Sequence, residues 1–103
     1  MERKLKSMLS LCQKAGFLAS GEENCERALQ SGSAKLVFVC TDASDNTKKK
    51  FSQKTFYYNV PFMSIFTKTE LTEATGKDNR SVTAVTNQGF AQRISEHAEV
   101  HNA

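Results

Sequence analysis

The stretch Lys14-Ala15-Gly16-Phe17-Leu18-Ala19-Ser20-Gly21-Glu22-Glu23-Asn24-Cys25-Glu26-Arg27-Ala28 reads as the end of one helix, a short extended piece and the start of a second helix. Gly16 stops the first helix. Phe17 to Ser20 is a brief strand. Ser20 is a good N-cap for the second helix, and Glu23 three residues later completes a capping box. Gly21 leaves no side chain in the way of an approaching ligand. Glu23, Asn24 and Arg27 then project a carboxylate, an amide and a guanidinium from the first helical turns. A helix N-terminus carries free N–H groups and a positive dipole end, so phosphates are welcome there. Hydrogen-bonding side chains without a nucleophile suit reading a ligand better than transforming one.

The same alternation continues outward. Leu5, Met8, Leu9, Cys12 and Ala15 follow i, i+3, i+4 spacing, so residues from about Arg3 to Ala15 form an amphipathic helix. The second helix buries Cys25, Ala28 and Leu29 and ends near Gly32. Leu36-Val37-Phe38-Val39-Cys40 is a continuous apolar run, the pattern of a strand covered on both faces. Asp42 to Asn46 is a polar turn. A third helix carries Lys48, Lys49, Lys50 and Lys54 beside Phe51, Thr55 and Tyr58, and Asn59 closes it. Val60 to Phe66 supplies another buried strand with Pro61 at its entrance. Thr67 and Glu70 form a second capping box, for a short helix ending at Gly76. Lys77 to Ser81 is a charged loop, Val82 to Thr86 the last strand, and Gly89 to Ala98 the last helix with Phe90 and Ile94 inward. The tail from Glu99 is expected to fray. Helices alternating with short apolar strands predict an α/β fold, a three-layer α-β-α sandwich with a small mixed four-stranded sheet.

The chain has 103 residues, a formal net charge of +3 and a pI near 8.8. That length suits one domain spanning the whole chain, and the charge is compatible with nucleic acid without demanding it. Cys12, Cys25 and Cys40 are an odd set without a C-x-x-C pair, each in an apolar pattern, as expected of reduced core thiols. The charged N-terminus does not resemble a signal peptide, and no segment approaches the ~20 apolar residues needed to cross a bilayer. A soluble cytoplasmic protein is expected, with no cofactor.

Catalytic constellations are thin. His97 and His101 have i, i+4 spacing, but Ala98 stands where an H-E-x-x-H zinc site needs Glu, so a solvated pair is expected and no metal. Glu22 and Glu23 are adjacent on a helix and cannot face one another across a substrate. Asp42 sits where a receiver-type domain would carry a phosphorylated aspartate, but the end of the first strand offers Ser20 in place of magnesium-binding carboxylates. A turn-forming aspartate is the better reading. An enzyme is not expected.

Three features fit RNA. Arg27 lies i+4 from Glu23, so the two share a face. They form an ordinary surface ion pair, or else Arg27 meets a guanine edge or phosphate while Glu23 and Asn24 pair with base edges. The Lys77–Ser81 loop, with Lys77, Arg80 and Ser81, could lie near the mouth of the second helix or stand as a plain solvent loop. The lysines of the third helix make a basic face, the commoner reading of which is a solvated one.

Gly16, Ser20 to Asn24 through Arg27-Ala28, Ala34 to Val37, Asp42-Ala43-Ser44, Tyr58 to Pro61, and Thr67 to Leu71 with Gly76 together resemble the ribosomal protein L7Ae superfamily. The likeness is greatest to its small bacterial branch, the YlxQ-type proteins, and runs in order from about Lys14 to Ile94. It implies an α-β-α sandwich, no enzymatic activity, and binding to structured RNA such as ribosomal RNA. The typical target is a kink-turn, a sharply bent duplex with tandem sheared G·A pairs. By position, Gly21 matches the family's RNA-contacting glycine and Arg27 its basic residue. Glu23 and Asn24 occupy the asparagine and glutamate positions with their identities exchanged. The family's apolar second loop corresponds to Lys77 to Ser81, which is shorter and charged. The expected protein is a monomeric, ribosome-associated RNA binder whose site comprises Gly21, Glu23, Asn24, Arg27, Lys77, Arg80 and Ser81. The alternative is a protein-interaction module on the translation machinery that touches no RNA directly.

Overall fold

The runs Leu36–Val39 and Val82–Val85 are buried at every residue and pair as the centre of a sheet. The computed structural model describes the backbone of residues 1–102 and the side chains of residues 1–99. In chain order the elements are α1 (Arg3–Lys14), β1 (Leu18–Ser20), α2 (Glu22–Gln30), β2 (Leu36–Val39), α3 (Asp45–Tyr58), β3 (Phe62–Met63), α4 (Lys68–Thr75), β4 (Val82–Val85) and α5 (Gln88–Asn102). The strand order is β1-β4-β2-β3. β4 pairs antiparallel with both β1 and β2, while β3 adds parallel to β2, so the sheet is mixed.

Period-two alternation sends side chains to opposite faces. Leu36, Phe38 and Cys40 join Val85 on one face, under Leu5, Leu9 and Cys12 of α1, Leu71 of α4 and Ile94 of α5. Val37, Val39, Val82 and Ala84 point to the other, under Cys25 and Leu29 of α2 and Phe51 of α3. The result is the expected three-layer α-β-α sandwich. The central strands β2 and β4 are buried at every residue.

Several ends differ from expectation. Ser20 does not cap α2: it stays in the sheet opposite Thr83, and Gly21 is the cap residue, with no side-chain capping bond. Glu23 accordingly turns to Arg27 rather than back to the cap. The strand expected over Val60 to Phe66 shrinks to Phe62–Met63, and Phe62 is 36% exposed. It lies at the sheet edge with one neighbour, and Pro61 brings no N–H to a ladder. The cap of α1 is Glu2, whose carboxylate accepts from Lys4 N at 2.6 Å and Leu5 N at 3.3 Å. The same carboxylate lies 2.9 Å from His97 Nε2, so His97 is not the solvated residue its spacing suggests. Helix α5 extends to Asn102, and the side chain of His101 and all of Ala103, in the tail expected to fray from Glu99, lie outside the described residues. The Thr67–Glu70 capping box and the left-handed closures at Asn59 and Gly76 form as the residue types require.

Candidate functional site

Antiparallel pairing of β1 with β4 decides what stands beside the mouth of α2. Ser20 ends β1 opposite Thr83 at the start of β4, and Gly21 N donates to Val82 O at 3.0 Å. The segment entering β4, Lys77 to Ser81, is therefore carried to the α2 N-terminus from nearly sixty residues away. Two left-handed residues shape it: Gly76 at φ +73° and Asn79 at φ +56°. Its far end is anchored, since Cys40 N donates to Ser81 O at 2.8 Å and the Cys40 thiol points to Arg80 O. The Arg80 side chain then lies across Gly21, where an added Cβ would sit 3.6 Å from Arg80 Cδ.

The outcome is an open groove lined by Asn24 and Arg27 from α2, Lys77 and Arg80 from the loop, and Gln13 from α1. Asn24 Nδ2 donates to Ser20 O at 3.1 Å, which leaves its carbonyl oxygen to face outward. Arg27 is paired with Glu23, and both are exposed, so solvent screens the pair. Glu23 is held by this pair and does not itself line the groove. Ser81 stands back from it, engaged through its carbonyl. The α2 N-terminus has no side-chain cap, so its first amides remain available. The groove thus offers two guanidinium groups, an ammonium, two side-chain amides and backbone donors, the complement of a phosphate-bearing ligand with polar edges.

Gln13 was not legible as part of this site. Its side chain lines the groove, and its Oε1 is shielded from solvent without a hydrogen-bond partner among the described residues. Only its place at the end of an amphipathic helix before Gly16 hinted at it, and that place does not say which neighbour it faces. Ser31 and Ser33, also on the groove wall, lacked any sequence signal.

Other candidate chemistries find structural duties instead. Asp42 Oδ1 accepts from Lys68 N at 2.9 Å, supporting the first turn of α4 across the 41–44 turn. Burial pushes the thiols of Cys12 and Cys40 up to about 11 and that of Cys25 to about 12, so they remain protonated at neutral pH. No group of three His, Cys, Asp or Glu among the described residues could hold a metal ion. No helix there is long and apolar enough to cross a membrane.

Fold and groove together define an α-β-α sandwich protein that presents a cationic, hydrogen-bonding groove at one helix mouth. The Ribosomal protein L7Ae/L30e/S12e/Gadd45 family model matches residues 3–95. The chain is 39% identical over 97 residues to the RNA-binding protein YlxQ of Enterococcus faecium, covering 94% of this chain and 93% of that one. It is likewise 39% identical over 87 residues to the RNA-binding protein YlxQ of Bacillus subtilis strain 168, covering 84% and 87%. A Bacillus halodurans C protein of unknown function superposes with a TM-score of 0.91 at 34% identity, over 95% of this chain and 99% of that one. The Giardia lamblia 15.5kD RNA binding protein shares the fold with a TM-score of 0.78 at 17% identity, over 97% and 92%. The chain belongs to the ribosomal protein L7Ae/L30e/S12e/Gadd45 family.

Proposed function

We propose that this protein is a non-catalytic RNA-binding protein that reads a bent, structured RNA with the mouth of α2 and clamps the adjoining backbone with the Lys77–Ser81 loop. The observation that carries this reading is the groove itself, in which Arg80 lies over Gly21 within one wall that also holds Asn24, Arg27 and Lys77. The relatives named as RNA-binding proteins support it. In the complex Arg27 leaves Glu23 for a guanine edge or a phosphate, and Glu23 is released to accept from a base amino group. Asn24 presents its carbonyl oxygen. Lys77 and Arg80 hold phosphates, contributing affinity rather than sequence information. The family's bent target, a kink-turn or a similar bend in ribosomal RNA, fits this division of labour. Attachment to the ribosome, a cytoplasmic location and a monomeric state complete the reading.

The test is a titration of the protein with a kink-turn RNA and with the same duplex carrying Watson–Crick pairs in place of its G·A pairs, at two salt concentrations. Tight binding to the kink-turn alone is expected, and Arg27→Ala should weaken it by about 1–3 kcal/mol if Arg27 makes a bidentate base contact. Equal, steeply salt-dependent binding to both would reduce the interaction to phosphate contact. Binding to neither RNA would overturn the reading in favour of a protein partner on the translation machinery.

A further inference from the structure

The outer face of α3 carries two large aromatic side chains that the fold does not bury. Thr47, Phe51 and Thr55 take the inward positions of this helix. Phe56 and Tyr57, at its other side, are 89% and 80% exposed. A single exposed apolar residue is ordinary, but these two sit in a particular setting. Lys49, Lys50, Gln53 and Lys54 surround them on one side without a carboxylate, and on the other Phe56 borders Val60 and Phe62. Lys49 makes no ion pair among the described residues, whereas Lys50 bridges Glu22 and Glu26 of α2. Tyr57 is also held in place: its ring meets Tyr58 edge-on, with centroids 4.9 Å apart and planes at 89°. Tyr58 in turn packs on the core beneath α3.

We propose that this α3 face is a second RNA surface, one that takes an unpaired strand by stacking bases on Phe56 and Tyr57 while Lys49 and Lys54 hold phosphates. Exposed aromatic rings set among cations are what sequence-tolerant binding of single strands uses. A protein partner that docks by adding a strand would need a sheet edge. The nearby edge, β3, is two residues long and follows Pro61, too short to template an added strand. The choice of RNA as ligand rests on the reading of the α2 groove. The two surfaces are separate, because Asn24 and Arg27 face the groove while Glu22 and Glu26 face α3 on the opposite side of α2. One RNA with a structured part and a free strand would engage both, and its two contacts would reinforce each other.

The chain contains two tyrosines and no tryptophan, so its tyrosine emission arises entirely from Tyr57 and Tyr58 on this face. A short oligouridylate with a dye at one end, titrated with the full chain, should quench that emission along the same curve on which the dye anisotropy rises. Phe56→Ala/Tyr57→Ala alters only exposed side chains and should weaken oligouridylate binding roughly tenfold or more, with circular dichroism unchanged. Arg27→Ala/Arg80→Ala should leave oligouridylate affinity as it is. Oligouridylate binding that survives Phe56→Ala/Tyr57→Ala, or that leaves the tyrosines unquenched, would overturn the proposal. So would quenching by polyglutamate but not by oligouridylate, which would assign the face to an acidic protein. A kink-turn RNA that fails to bind while oligouridylate still quenches would remove the groove reading and leave the α3 face standing.

Discussion

Gly21 holds φ +92° and ψ 157°, a region open to glycine and strained for every residue with a Cβ. Gly21→Ala should lower the unfolding free energy by about 1–3 kcal/mol, measured by urea denaturation. The loss is one of backbone strain, since the new methyl would meet Arg80 Cδ at an ordinary 3.6 Å; a variant as stable as the parent would show that the turn rearranges. Glycine at this position was conspicuous in the sequence, but as an absent side chain rather than as a required dihedral. Ser20 is the instructive contrast. Its type and its spacing from Glu23 are those of a capping box, a local pattern that carries no record of strand pairing. The ladder with β4 claims Ser20, the helix starts one residue later, and its first amides stay uncapped in the groove.

Between elements, α2 and α3 are clamped by Lys50, which reaches Glu22 Oε1 at 3.6 Å and contacts Glu26 more closely. The hydrogen bond from Lys50 holds the Glu26 carboxyl below its ordinary 4.5, and the bond to Glu26 holds Lys50 above its ordinary 10.5. The signs follow from linkage. The Glu26 contribution is present above pH 4.5 and fades as the pH falls through its lowered value. That of Lys50 is present below pH 10.5 and fades as the pH rises through its raised value. Both groups are only partly buried and reachable by solvent, so the effect is shallow. Glu26→Gln should flatten the acid limb of the stability–pH curve below about pH 5, followed by urea denaturation at each pH. Superimposable curves for parent and variant would show that the clamp contributes nothing. The four lysines of α3 were evident as a run in the sequence. That one of them is spent on α2, while another stands beside exposed aromatic rings, depends on how the two helices pack.

At the scale of the whole molecule, two apolar layers enclose the sheet, and the three cysteines report on both. Cys12 and Cys40 lie in the layer under α1, α4 and α5, and Cys25 in the layer under α2 and α3. All three are fully buried with raised pKa values, so a disulfide reagent at about pH 8 should label none in the native chain and all of them after denaturation. Stoichiometric labelling of the native protein would mean that one layer opens readily. Burial of these thiols was legible from their apolar context, as were the α/β class, the two-sided burial of Leu36 to Val39 and the left-handed stops at Asn59 and Gly76. Such features are set by side-chain polarity and backbone preference over a few residues, which the sequence states directly. Three others were decided only by tertiary structure: the strand order β1-β4-β2-β3, the reduction of β3 to an edge pair, and the meeting of Gly21 with Arg80. Each depends on which strands pair, a choice made by the burial of the whole core. The groove exists because β4 inserts between β1 and β2 and delivers a loop from residues 77–81 to the mouth of a helix that begins at residue 22.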